Sequence, residues 1–363
     1  MSNNKKKRLL SVDGGGIKCM IAVEVLDAIE KQLQEEHKSP EYRLRDHFDL
    51  IAGTSGGAIL ACGISLGYSL AEIRTFVSDN ARNLFKTAAF YRRYRSVFDE
   101  TLLEKNIQEW FGADTLLGSE RIKSTLLLPM HNMSTDTPWV VSNNPAAKYN
   151  DVALDYSNLN IPLWKLARAS SAAPAYYKPV EIEFGKSNRY TELFSDGAMT
   201  GLMNPAFKAF QYSTTSSYGL NWPTGEDAMQ VLSVGSGLIK QKRPNLKIRQ
   251  TNVINSVLGM PDTMIQSSIR EQDILCRTFG RCIYGNKMDH ELDDMSTTVT
   301  ALKDRLFTYS RVSPDISVEG LSELGLEHIA VDDVFKIDCV DALDQLLEIG
   351  AAEAKKLPAN SYI

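Results

Sequence analysis

The order of strands and helices predicts an α/β fold with a mostly parallel central sheet covered by helices on both faces. Three observations predict it. The first ninety or so residues alternate strand, glycine turn and helix twice over. Short apolar runs recur downstream and can extend the same sheet. The chain closes on a helical pattern from Val340 to Lys356, with Val340, Leu343, Leu347 and Ala354 on one face. Alternation of this kind buries a parallel sheet between two helical layers.

Taken in order, Arg8 to Val12 is a short apolar run ended by Asp13-Gly14-Gly15-Gly16, which reads as a strand and its turn. Ile17 to Glu36 then carries apolar residues at helical spacing through Ile21, Val25, Leu26, Ile29 and Leu33. His47 to Ala52 reads as the second strand, followed by a helix of small residues from Gly56 to about Leu66. Ser69-Leu70-Ala71-Glu72 and Thr101-Leu102-Leu103-Glu104 both have capping-box spacing, so each predicts a helix start. Ser124 to Pro129, Trp139 to Ser142 and Met229 to Val234 read as further strands. A helix from Leu163 to Ser171 is expected to stop at Ala173-Pro174, because proline disfavours helix in the residue before it. Neither internal repeats nor a low-complexity linker stand out, so residues 1–363 read as a single domain. Its motif-bearing core spans about 8–237, and 238–363 forms a C-terminal helical or cap extension. The stretch from Lys240 to Leu306 has the weakest pattern and reads as a cap.

The 363 residues are 43% hydrophobic and 23% charged, which is globular rather than disordered composition. A net charge of -5 lacks the basic face of a nucleic-acid binder, so no DNA or RNA partner is expected. The five cysteines are scattered, without the paired spacing of a zinc or redox motif, which fits a reducing cytosol. The apolar stretch Leu9 to Val12 is too short for a signal-peptide core, and no window approaches the ~18 apolar residues that would span a bilayer.

Gly53-Thr54-Ser55-Gly56-Gly57 puts a serine between glycines on a strand-to-helix turn, the sequence form of a nucleophile elbow. A plain flexible turn is the alternative. Gly14, Gly15 and Gly16, between a strand and a helix start, can offer backbone N–H groups to developing negative charge. A nucleotide phosphate loop is disfavoured there, because Gly14-Gly15-Gly16-Ile17-Lys18-Cys19 lacks a Walker Lys-Ser/Thr pair and has Cys19 where a dinucleotide loop needs glycine. Val234-Gly235-Ser236-Gly237 also follows a strand but lacks the outer spacing, so Ser236 reads as a loop residue. None of His37, His47, His131, His290 and His328 sits in a recognisable motif. Asp196, which follows Tyr190 to Phe194 and precedes Gly197 on what reads as a constrained turn, is a candidate base, since a carboxylate bonded to a serine in a dry pocket can work without histidine.

Together, Asp13-Gly14-Gly15-Gly16-Ile17-Lys18, the Gly53–Gly57 turn, Asp196-Gly197-Ala198 with the following Asn204-Pro205-Ala206, and the segment from Ala167 to Val180 resemble the patatin-like phospholipases. The resemblance covers about Arg8 to Gly237. It implies a three-layer α/β/α fold and a Ser55–Asp196 dyad, with Gly14 to Gly16 as the oxyanion hole. It implies hydrolysis of fatty-acyl esters of membrane phospholipids by acyl transfer, without metal or organic cofactor. Lys18 stands where the family usually has arginine, and Cys19 where glycine is common. Compact relatives of this type include anti-phage effectors switched on by cyclic dinucleotides. The resemblance therefore extends to antiviral defence, with a cyclic di- or oligonucleotide activator and a cytoplasmic enzyme acting peripherally on the inner membrane. Two other readings use the same residues: a catalytically idle hydrolase-fold ligand sensor or binding module, and an esterase or acyltransferase acting on soluble esters. Asn83 to Phe98 interleaves aromatic and basic residues, which suits either lipid headgroup contact or, more simply, a buried cap helix with solvated arginines. Lys5 to Arg8 is expected to be a solvated tail.

Overall fold

A computed structural model of the chain describes residues 5–84, 98–238, 253–289, 291–300 and 302–358. The order of elements is β1 (Lys7–Val12), α1 (Cys19–Glu36), α2 (Leu44–His47), β2 (Leu50–Gly53), α3 (Gly56–Leu66), α4 (Leu70–Leu84), α5 (Glu100–Phe111), β3 (Thr125–Asn132) and β4 (Thr137–Ser142). Next come α6 (Leu163–Ser170), β5 (Val180–Phe184), β6 (Tyr190–Asp196), α7 (Ala206–Thr214), β7 (Met229–Val234) and α8 (Val253–Phe279). The chain continues through β8 (Arg281–Tyr284), β9 (Thr308–Val312), α9 (Val318–Glu323), α10 (Val331–Val334) and α11 (Leu343–Lys355).

The described strands form one nine-stranded sheet in the order β5-β6-β3-β2-β1-β7-β9-β8, with β4 also paired to β3. The pairs β1–β2, β1–β7, β2–β3, β7–β9 and β8–β9 are parallel, while β4, β5 and β6 join antiparallel. Successive strand residues point to opposite faces. Leu10, Val12, Ile51, Leu126, Leu128, Leu232 and Val234 pack with α1, α3, α4, α5, α6 and α11. Leu9, Leu50, Ala52, Leu127, Met229 and Val231 pack with α7 and α8 on the other face. The three-layer α/β/α architecture is therefore the observed one.

One detail of the sheet positions the site. Strand β3 pairs with β4 along Leu127–Asn132, which occupies one of its two edges. On the other edge, Thr125–Leu127 pair with β2 and Met130–Asn132 pair with β6. Strand β2 is only four residues long, so it leaves the far part of that edge open. Strand β6 fills the opening antiparallel and ends at Asp196, opposite Met130.

Most expected elements are present, with local differences. Strand β2 begins at Leu50 rather than His47, because Leu44–His47 is a helical turn whose start is capped by Asp46, accepting the Arg43 amide at 3.0 Å. Helix α5 is capped by Asp99, which accepts the Thr101 amide at 3.0 Å, rather than by Thr101. Ser69 and Glu72 do form the expected capping box, at 2.8 and 3.2 Å. Lys7 lies within β1 and pairs with Asp49 at 3.1 Å, so the basic cluster is a tail only up to the strand. The closing helix opens with a 3-10 turn and packs on α1. Of the aromatic and basic stretch at 83–98, residues 85–97 lie outside the described residues. Among the described residues no helix is long and apolar enough to cross a membrane.

Helix α11 approaches the α1 backbone closely at Gly350, where a Cβ would lie 2.7 Å from the Ile21 carbonyl oxygen. Gly350→Val is expected to lower stability by about 1–3 kcal/mol through overpacking. Thermal melting checks this, and an unchanged midpoint would contradict so close a helix contact.

Candidate active site

Ser55 follows β2 and precedes α3, with φ 55° and ψ −127°. A non-glycine residue held at positive φ is strained, and the surrounding structure must hold it there. The hold is visible. The Ser55 amide donates to Ser170 Oγ at 3.1 Å, and Ser170 Oγ itself donates to the Pro129 carbonyl at 2.7 Å. Gly57 must be glycine, since a Cβ there would sit 2.5 Å from the Val12 and Asp13 carbonyl oxygens. The turn projects Ser55 at the carboxyl end of a parallel strand, where open α/β sheets take their ligands.

Ser55 Oγ donates to Asp196 Oδ2 at 2.7 Å. The two residues are 141 positions apart in sequence. Asp196 is 1% exposed and Ser55 7%. The second carboxylate oxygen of Asp196 accepts the Ala198 amide at 2.8 Å, which fixes the carboxyl plane. Burial raises the Asp196 pKa to about 6, opposed by the Ala198 amide, the Ser55 hydroxyl and the charge of Arg168. Such an acid is ionised at neutral pH yet basic enough to take a serine proton.

The histidines do not reach this pair. His47 is buried on α2, where burial lowers its pKa to about 3 and keeps it neutral. His131 bonds Ser195 Oγ at 3.2 Å. Ser195 and Asp196 are neighbours on one strand and point to opposite faces, so His131 lies on the far side of the sheet from the dyad. His37 stacks on Tyr42, His328 pairs with Glu348, and His290 lies outside the described residues.

Of the three glycines, Gly14 has its N–H committed to the Met203 carbonyl at 3.0 Å. The Gly15 and Gly16 amides find no acceptor among the described residues. Gly16 has φ 59°, and a Cβ on it would meet the Ile337 carbonyl oxygen at 2.2 Å, so both its conformation and its surroundings require glycine. The expected three-glycine donor set thus narrows to Gly15 and Gly16. Gly14 serves as the anchor of the loop. Ser236, expected to be a plain loop residue, is buried and donates its hydroxyl to the Gly14 carbonyl at 2.7 Å. Ser236 and Met203 as loop supports, and Ser170 as a support of the elbow, were not foreseen. The register Val12↔Val234 would have flagged Ser236, because adjacent parallel strands bring their following turns together.

The dyad and the free amides line a cavity of about 680 Å3, walled mainly by apolar side chains such as Ile59, Leu60, Val77, Leu103, Ile265 and Ile269. Lys18 and Lys336 also reach it. Burial lowers the Lys18 pKa, partly countered by Cys339, Cys19 and Asp262. Burial raises the pKa of Cys19 to about 12, so its thiol stays protonated and competes with Ser55 poorly. Among the described residues there is no group of three or more His, Cys, Asp or Glu side chains arranged to hold a metal.

A serine on a strained strand-to-helix turn, bonded to a buried acid beside open backbone amides, is the arrangement that serine acyl hydrolases use. The chain belongs to the patatin-like phospholipase family, whose model matches residues 10–210. It is 29% identical over 255 residues to a cGAMP-activated phospholipase of Escherichia coli, covering 65% of this chain and 66% of that protein. It is 30% identical over 216 residues to a cGAMP-activated phospholipase of Vibrio cholerae, covering 55% and 56% of the two chains. It is 26% identical over 284 residues to the probable inactive patatin-like protein 9 of Arabidopsis thaliana, covering 73% and 71%. The matched region thus spans about two thirds or less of the two cGAMP-activated proteins.

The raised Asp196 pKa has a consequence for stability. An acid whose pKa is higher folded than unfolded stabilises the fold below its unfolded value of 3.8, and this contribution is lost as pH rises through about 6. Asp196→Asn, which keeps the shape and removes the buried charge, is therefore expected to stabilise the protein by on the order of 3 kcal/mol at pH 8 and by about half that at pH 5. Melting at the two pH values checks this. Equal melting shifts at both would contradict the burial of an ionised Asp196.

Proposed function

We propose that this chain is a lipid acyl hydrolase that cleaves fatty-acyl esters of membrane phospholipids through Ser55 and Asp196. The observation that carries the reading is the 2.7 Å contact between Ser55 Oγ and Asp196 Oδ2, at the wall of a cavity lined chiefly by apolar groups. Asp196 takes the Ser55 proton as Oγ attacks the ester carbonyl, and the Gly15 and Gly16 amides receive the negative charge of the tetrahedral intermediate. Asp196 returns the proton to the departing alcohol, leaving an acyl-serine. Asp196 then deprotonates a water that attacks the acyl carbonyl, and the returned proton frees Ser55 and the fatty acid. The apolar cavity suits an acyl chain, and the cations of Lys18 and Lys336 suit the phosphate. The residues require no metal or organic cofactor for these steps.

The protein acts from the cytoplasm on the inner membrane surface, with a cyclic di- or oligonucleotide as its activator in antiviral defence. The names of the Escherichia coli and Vibrio cholerae relatives support the activator. The inactivity in the name of the Arabidopsis relative is that protein's own. Here both members of the dyad are in bonding contact, which favours an active enzyme over an idle sensor.

Fatty-acid release from phosphatidylglycerol and phosphatidylethanolamine vesicles, read by lipid mass spectrometry with a panel of cyclic di- and trinucleotides, tests this. The expected result is release accelerated by cGAMP or a related nucleotide and reduced about 1,000-fold or more by Ser55→Ala and by Asp196→Asn. The rate is expected to rise with pH through about 6, because only the ionised Asp196 can accept the proton. Activity surviving either substitution would end the dyad assignment, and equal release with every nucleotide and with none would end the switch.

A further inference from the structure

Asp13 is the residue from which the glycine loop departs, and its carboxylate points away from the dyad into a buried ion pair. Arg311 of β9 donates from Nη1 to Asp13 Oδ1 at 2.8 Å and from Nη2 to Oδ2 at 2.5 Å. Both side chains are 2% exposed. The same Nη1 donates to Ser233 Oγ at 2.7 Å. Ser233 Oγ donates to Asn204 Oδ1 at 3.2 Å. Asn204 follows Met203, and the Met203 carbonyl is what takes the Gly14 N–H at 3.0 Å. The contacts therefore close a ring: Arg311 grips the residue before Gly14 directly, and through Ser233 and Asn204 it grips the segment to which Gly14 is bonded. Arg311 lies outside residues 10–210, the region that matches the family model.

We propose that Arg311 is a positioning residue for acyl transfer, which fixes the Gly14 peptide from both sides and so aims the Gly15 and Gly16 amides at the developing oxyanion. The inference rests on the reading that Ser55 and Asp196 carry out that transfer. The work needs the planar fork of arginine. Two parallel N–H groups meet both oxygens of Asp13, and one of them still reaches Ser233, whereas a lysine ammonium is a single point of attachment. A buried pair that only held the fold together would change melting when altered and leave turnover of the folded fraction alone. An aimed donor acts on the transition state, so its loss appears in kcat and not in KM.

The test is steady-state hydrolysis of p-nitrophenyl butyrate, with cGAMP present, by wild type, Arg311→Lys, Ser233→Ala and Ser55→Ala. Each is assayed below its own melting temperature. Arg311→Lys is expected to lower kcat about 10- to 100-fold with KM within about twofold of wild type. Its pH midpoint is expected to match that of wild type, since Asp196 is untouched. Ser233→Ala opens the other arm of the ring without stranding a buried charge, and is expected to lower kcat about three- to tenfold with the fold intact. If Arg311→Lys does not fold, Ser233→Ala decides alone. Wild-type kcat in Ser233→Ala, or in a folded Arg311→Lys, would overturn the inference while a dead Ser55→Ala leaves the dyad standing. A Ser55→Ala protein as active as wild type would end the dyad reading and this inference with it.

Discussion

Strand β3 is twice as long as its neighbour β2, and the site depends on how the spare length is used. The eight residues of β3 present one edge that four-residue β2 covers only in part, and β6 enters the remainder from the opposite direction. Because β6 runs antiparallel, it ends just beyond the point where β2 gives way to the serine turn. That one feature of strand pairing brings Ser55 and Asp196 within a hydrogen bond. Gly197 marks how tight the junction is, since a Cβ there would lie 2.5 Å from the Pro129 carbonyl oxygen and 2.7 Å from Thr54 Cγ2.

Burial then turns proximity into chemistry. An exposed aspartate is too weak a base to assist a serine. Enclosed in the sheet, its pKa is raised by burial to about 6, even though the Ala198 amide, the Ser55 hydroxyl and the charge of Arg168 all pull it down. The proposed mechanism therefore needs no histidine, and His47 and His131 are kept away from Ser55 and Asp196 by helix α2 and by the alternation of β6. The cost is a carboxylate held out of water at neutral pH, a strain of the kind proteins concentrate at functional sites.

Local patterns carried much of this in the sequence. Glycine turns after apolar runs gave β1, β2 and the helix α3, and the Gly53–Gly57 spacing gave the elbow, because each depends on residues within one turn of each other. Asp196 was visible as an acid on a turn before glycine, but strand β6 and the direction of the carboxylate were not, since both depend on pairing with a strand some sixty positions earlier. Ser236 and Arg311 were invisible for the same reason, since each reaches the glycine loop only through the order of strands β1, β7 and β9, and Met203 reaches it from the segment between β6 and α7. Gly259 and Pro261 break the helical pattern of α8, yet that helix runs through them from Val253 to Phe279. Asp99 took the cap expected of Thr101 because its carboxylate, two residues nearer the chain start, reaches the orphan amide first.

The proposed hydrolysis rests on Asp196 activating Ser55, and covalent labelling reads that step directly. Intact-protein and peptide mass spectrometry after a fluorophosphonate probe, with cGAMP present, should find one adduct per chain on Ser55, forming faster as pH rises through about 6, and none forming on that residue in Asp196→Asn over the same time. An adduct on a different residue, or Ser55 labelled equally fast without the carboxylate, would contradict it.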